Sequence, residues 1–181
     1  MTYVDSILAH NRAFVENHLA DRYQTTKFPS KRAAILSCMD TRLTELLPAA
    51  LGLKNGEVKL IKNAGAVVSH PFGSVMRSLL VAVYELGVTD ILVIGHHDCG
   101  MQGLEPERLL AKIRQRGIPP EKMDAIRACG IDLHAWLKGF DSVGESVQTT
   151  VEQIRTHPLM PPDVLVHGFL IDPETGKLDR V

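Results

Sequence analysis

From residue 33 onward, short apolar runs alternate with longer amphipathic stretches, and that alternation leaves few architectures open. AAILSC (33–38), GEVKLIKNAGAVV (56–68, running into a glycine turn), DILVIG (90–95) and VLVHGFLID (164–172) read as strands. LTELLPAALGL (43–53), with Pro48 awkwardly inside it, and SVMRSLLVAVYELGV (74–88) read as helices. The second presents Val75, Leu79, Ala82, Val83 and Leu86 on one face and stops at Gly87. Residues 104–157 are mostly helical in pattern, with breaks near Gly117–Pro120 and Gly139–Asp141. The tail PETGKLDRV supplies a turn and a short antiparallel edge strand. Strands and helices in this order predict an α/β fold: a mostly parallel sheet of four strands plus the antiparallel edge strand, with helices on both faces.

The chain of 181 residues suits one domain, 1–181, made of an N-terminal helix and connector (1–31) and an α/β core (32–181). In that first segment Val4, Ile7, Leu8, Phe14, Val15 and Leu19 recur at helical spacing, and the polar, proline-containing DRYQTTKFPSK follows. So long a connector leaves the apolar stripe two partners, the chain's own sheet or a second subunit. A net charge of -1 gives no electrostatic reason to expect nucleic acid or an anionic membrane as partner. No apolar run reaches the roughly 20 residues of a membrane span. The first helix lacks the basic start and continuous apolar core of an export signal, so a cytoplasmic location with reduced cysteines is expected.

Two polar clusters follow directly on strands, where ligands of parallel sheets gather. SCMDTR (37–42) follows AAIL, and GHHDCG (95–100) follows DILVI. Thiolate and imidazole together suit zinc, which favours four tetrahedral ligands. Cys38 with His96-x-x-Cys99 gives two thiolates and one imidazole, leaving the fourth position open as at catalytic sites; His97-x-Cys99 also shares a strand face. A water on such a metal loses its proton far more readily than in bulk. In an extended segment Cys38, Asp40 and Arg42 alternate onto one side, where the guanidinium keeps Asp40 ionised and turned from the metal. Released, Asp40 becomes a fourth ligand and closes the site.

CMDTR and GHHDCGM, with His96 58 positions after Cys38, resemble the β-class carbonic anhydrases, and so do KNAGAVV and GFLIDPETGKL. The resemblance covers about residues 33–178, with the leading helix also fitting, and is nearest the compact prokaryotic branch. It implies a zinc lyase in which Cys38, His96 and Cys99 hold one zinc per chain and Asp40 and Arg42 form a catalytic dyad. The implied reaction is reversible hydration of carbon dioxide to bicarbonate and a proton by zinc-bound hydroxide. It also implies dimers, or dimers of dimers, whose N-terminal helices reach across to the partner. Relatives that hydrolyse carbonyl sulfide or carbon disulfide use the same scaffold, and a catalytically silent zinc protein is a third reading. The chain departs from the plant-like branch at Leu53-Lys54-Asn55-Gly56, where that branch carries a pocket glutamine, and from the compact prokaryotic branch at His97, where a small hydroxyl residue is common.

The remaining candidates have plainer readings. His97 is a rim residue, with proton shuttling as the alternative. Asp98 is either a turn carboxylate satisfying backbone N–H groups or a catalytic one. Gly65 serves the turn after the second strand and Asn63 holds it. Cys129 is structural, Trp136 packs, and His70 lies near a pocket mouth.

Overall fold

A computed structural model describes residues 2–181. Five strands form one sheet in the order β2-β1-β3-β4-β5: β1 (Ala33–Cys38), β2 (Val58–Asn63), β3 (Asp90–His96), β4 (Leu165–Ile171) and β5 (Leu178–Arg180). The first four run parallel and β5 pairs antiparallel with β4, as the sequence pattern predicts. β1 and β3 are nearly continuous in burial because helices cover both of their faces. Ala34 and Leu36 point to one side, where α3 (Ser74–Tyr84) and α7 (Val143–Arg155) contribute Met76, Leu79, Val147, Val151 and Ile154. Ile35 and Ile94 point to the other, under Leu43 and Leu47 of α2 (Leu43–Ala50). Pro48 is tolerated two residues before the end of α2, where it interrupts little of the helix, and its carbonyl accepts from Leu53 N–H at 2.8 Å.

The helical stretch between β3 and β4 divides more often than the sequence suggests. α4 (Pro106–Gln115), α5 (Pro120–Ala128) and α6 (Leu133–Leu137) precede α7, so a third break falls at 129–132. There Gly130 takes φ +84, and the Asp132 carboxylate caps α6 by accepting from the N–H groups of His134 and Ala135. Leu110, Met123 and Leu133 give α4–α6 a small core of their own, apart from the two that sandwich the sheet. This appendage joins the body through a narrow neck. Gly139 N–H donates to Leu104 O at 3.0 Å, and Gly103 N–H donates to Phe140 O at 2.9 Å.

Two plain readings are corrected here. Cys129 ends α5 in solvent rather than in a core, and Trp136 is 66% exposed rather than packed, because α6 is too short to bury both of its sides. α1 (Tyr3–Glu16) begins at a capping box between Thr2 and Asp5 and buries none of its residues, leaving Val4, Ile7, Leu8 and Val15 uncovered. No helix among the described residues is long and apolar enough to cross a membrane.

Candidate metal centre

After β1 the chain passes through α2 to β2 on one side, then through α3 to β3 on the other. The carboxyl ends of β1 and β3 therefore flank the crevice where strand order reverses, the place where open parallel sheets bind ligands. Cys38 is the last residue of β1, His96 the last of β3, and Cys99 follows in the next turn. All three are buried, and one donor atom of each lies within 4.8 Å of the others.

The donors fit zinc on three counts. The Cys38 and Cys99 sulfurs stand 3.9 Å apart, close to the ~3.8 Å that separates two thiolates on a tetrahedral zinc. The His96 ring is fully buried and its Nδ1 lies 2.8 Å from His97 O. A carbonyl only accepts, so Nδ1 carries the proton and Nε2 keeps its lone pair, as ligating histidines are commonly held. That Nε2 is one of two buried side-chain atoms without a hydrogen-bond partner among the described residues, the other being Ser37 Oγ. An orphaned buried acceptor beside two thiols is a donor set that fits a cation.

The surrounding backbone tunes the thiols unequally. Burial alone would push the Cys38 thiol up, but the neighbouring His96 imidazole and the N–H groups of Gly65 and Asp40 bring it down to about 7. The Gly65 amide lies 3.4 Å from the Cys38 sulfur. Burial pushes Cys99 up to about 11, with the adjacent Cys38 adding to the rise. Gly65 is required twice over: its φ is +88, and a Cβ there would lie 2.9 Å from Phe140 Cε1 and 3.2 Å from Met101 Cγ. Asn63 holds this turn, its side chain exchanging both hydrogen bonds with the Val67 backbone.

Asp40 and Arg42 do meet, though by a different route from the one alternation predicts. The strand ends at Cys38, and Arg42 adopts helical backbone at the start of α2 (φ -61, ψ -26), so a turn rather than an extended segment brings the pair together. Asp40 Oδ1 accepts from Arg42 N–H at 2.9 Å and from Nε–H at 3.1 Å, while Oδ2 accepts from Nη2–H at 2.9 Å. Oδ2 also faces His96 Nε2 at 3.8 Å. Hydrogen bonds from Arg42 hold the Asp40 carboxyl at about 2, against the opposing effect of burial.

Because that value is depressed, the stabilisation from the pair is complete above the unfolded value of 3.8 and is lost as pH falls through about 2. The ¹³C shift of Asp40 Cγ in the metal-free native chain is expected to titrate near 2. In Arg42→Ala the midpoint should move up toward about 4. A midpoint indifferent to the substitution would show that Arg42 does not hold the carboxylate.

A cleft of about 360 Å³ opens over the cluster, lined by Met39, Asp40, Thr41, Ala64 and Met101 besides the two cysteines. His97 is exposed, is not among the residues that line this cleft, and its N–H donates to Ile171 O. His70 does not line this cleft and accepts instead from Phe72 N–H. Asp98 is the residue whose part the sequence did not disclose, for its carboxylate pairs with Arg42 at 3.0 Å. His157, buried with Nε2 2.9 Å from Pro71 O, pins the loop before α3, and no spacing in the sequence announces it.

A family model described as carbonic anhydrase matches residues 33–178. A Bacillus subtilis (strain 168) protein named "Putative carbonic anhydrase YtiB" is 55% identical over 181 residues, covering all of this chain and 97% of the relative. A more distant relative, a carbon disulfide hydrolase of Acidithiobacillus thiooxidans, is 27% identical over 82% of this chain and 76% of its own length. The crystal structure of β-carbonic anhydrase isoform I from Trichomonas vaginalis superimposes with a TM-score of 0.90 at 35% identity, covering 99% of this chain and 97% of that one. With the sheet order, the switch-point crevice and the Cys-His-Cys cluster in agreement, the chain belongs to the β-class carbonic anhydrase family.

Proposed function

We propose that this chain is a zinc lyase that reversibly hydrates carbon dioxide, with Cys38, His96 and Cys99 as the metal ligands. The observation that carries the reading is the buried cluster of two thiols and an unpartnered imidazole nitrogen beneath an apolar cleft. When bound there, zinc supplies the Lewis acidity that makes a water nucleophilic near neutral pH. The protein's own groups do the rest. Met39, Ala64 and Met101 offer a small neutral gas an apolar surface and few competing donors. Asp40, kept ionised by Arg42, can only accept; its Oδ2 takes a hydrogen bond from the attacking water and orients it. Arg42 is a positioning residue that acts through Asp40 and keeps that carboxylate from becoming a fourth ligand.

The same cleft suits carbonyl sulfide and carbon disulfide, and the hydrolase among the relatives favours that second reading. Stopped-flow assays on zinc-quantified protein, at neutral and alkaline pH and on all three gases, separate the two. Carbon dioxide hydration well above the sulfur substrates is the expected outcome. Zinc-loaded protein inert toward carbon dioxide at both pH values would overturn the assignment. Activity confined to alkaline pH would mean that Asp40 occupies the metal when resting.

The uncovered apolar stripe of α1 supports a homodimer in which this helix lies on the partner. The reduced state that the thiol ligands need supports a cytoplasmic setting.

A further inference from the structure

The geometry points to Asp98 as a second anchor of Arg42, a positioning residue that holds the far edge of the guanidinium so that the near edge stays on Asp40. The inference deepens the proposed function and rests on it for its catalytic consequence, though not for the contact itself. Arg42 presents five N–H donors in a rigid plane. Nε and one Nη2 hydrogen engage Asp40, the second Nη2 hydrogen engages Asp98 O at 2.9 Å, and Nη1 engages Asp98 Oδ2 at 3.0 Å. The two aspartates therefore use different edges of the fork and do not compete for it. Held on one edge alone, the guanidinium could swing out about its last side-chain torsions. Held on both, it stays in the plane that Asp40 needs.

The backbone of Asp98 is built for this double contact. Its φ is +54, a left-handed conformation uncommon outside glycine that Asp and Asn adopt more readily than most residues. That conformation lets the carbonyl and the carboxylate of one residue both reach Arg42. The residue also lies between His96 and Cys99, so the clamp ties the loop after β1 to the loop that carries two of the ligands. The Asp98 side chain is 87% exposed and Arg42 39%. An exposed ion pair contributes little to stability, so its worth here lies in orientation.

Three variants separate the parts. Asp98→Gly keeps the left-handed backbone and the carbonyl but removes the carboxylate; Asp98→Asn keeps both and a neutral acceptor; Asp98→Ala strains the backbone as well. The first readout is the exchange rate of the Arg42 Nε–H, followed by ¹⁵N NMR on the zinc-loaded whole chain and assigned with Arg42→Lys. The second is kcat and KM for carbon dioxide. In Asp98→Gly the Nε–H is expected to exchange about tenfold or more faster, and kcat to fall by about tenfold with KM and zinc content little changed, as for loss of an outer-shell partner. Asp98→Asn should recover most of both.

An Arg42 Nε–H as protected in Asp98→Gly as in the parent would overturn the anchor, whatever the activity. If carbon dioxide turnover is absent in the parent, the function fails while the exchange rates still decide the anchor. Loss of protection in Asp98→Gly with no change in kcat would leave the contact standing and overturn the positioning role.

Discussion

Replacing Cys38 by serine is expected to strip zinc from the chain while leaving the fold in place. Serine fills nearly the same volume at the buried end of β1, so the packing around Ile35 and Leu43 has no cause to change. The hydroxyl is a far weaker donor to zinc than a thiolate and stays protonated at neutral pH, whereas hydrogen bonds already bring the Cys38 thiol down to about 7. Losing an outer-shell partner of a bound metal costs about 10–100-fold in affinity or activity, and a direct ligand lies beyond that range. Metal analysis after extensive dialysis should therefore find well under one zinc per chain, with carbon dioxide hydration reduced by about a hundredfold or more. The metal-free forms of parent and variant should melt together. A variant that still held one zinc per chain would remove Cys38 from the ligand set.

The largest effect on stability is expected far from any ligand, at Gly139 in the neck of the helical appendage. A Cβ there would stand 2.0 Å from Met101 O and 2.8 Å from Leu104 N, both of them backbone atoms that no rotamer change can move. Gly139→Ala must break the neck pairing between 101–104 and 139–140, costing about 2–3 kcal/mol. For a chain of this size that lowers Tm by about 4–12 °C. Gly144, in the first turn of α7, makes the contrast. Its added Cβ would meet nothing closer than Ser142 Oγ at 3.9 Å, so Gly144→Ala should stabilise by up to about 0.5–1 kcal/mol. Thermal melts of the two variants check both signs, and equal shifts would mean that the neck yields more easily than its geometry implies.

How much of this could be read in advance depended on the range of the interactions concerned. β1 and β3 were legible within a residue or two because burial on both faces forces continuous apolar runs, and β4, whose burial alternates, because its largely apolar segment stands between polar ones. The meeting of Cys38, His96 and Cys99 was legible because thiols and an imidazole at strand ends have few other uses. The appendage was harder to read, since its helices are short and pack on one another around a core of only three buried residues. The break at 129–132 had a local signal, a glycine stop followed by an aspartate cap, that the overall helical pattern obscured. The tie between Asp98 and Arg42 had none. It depends on one left-handed residue and on the parallel pairing that lays β3 beside β1, neither of which spacing can express.

The placement of β1 between β2 and β3 also governs when a metal can matter to the chain. Cys38 and Cys99 are 61 positions apart and become neighbours only when β1 and β3 have paired, a distant closure that chain entropy makes slow. The unfolded polypeptide can offer zinc the nearby His96 and Cys99 but not the complete trio. A zinc ion held by the trio would therefore bind the finished sheet in preference to its precursors. Each rise in free zinc above the dissociation constant then adds logarithmically to native stability, so the melting temperature of this chain should report the zinc activity of its surroundings.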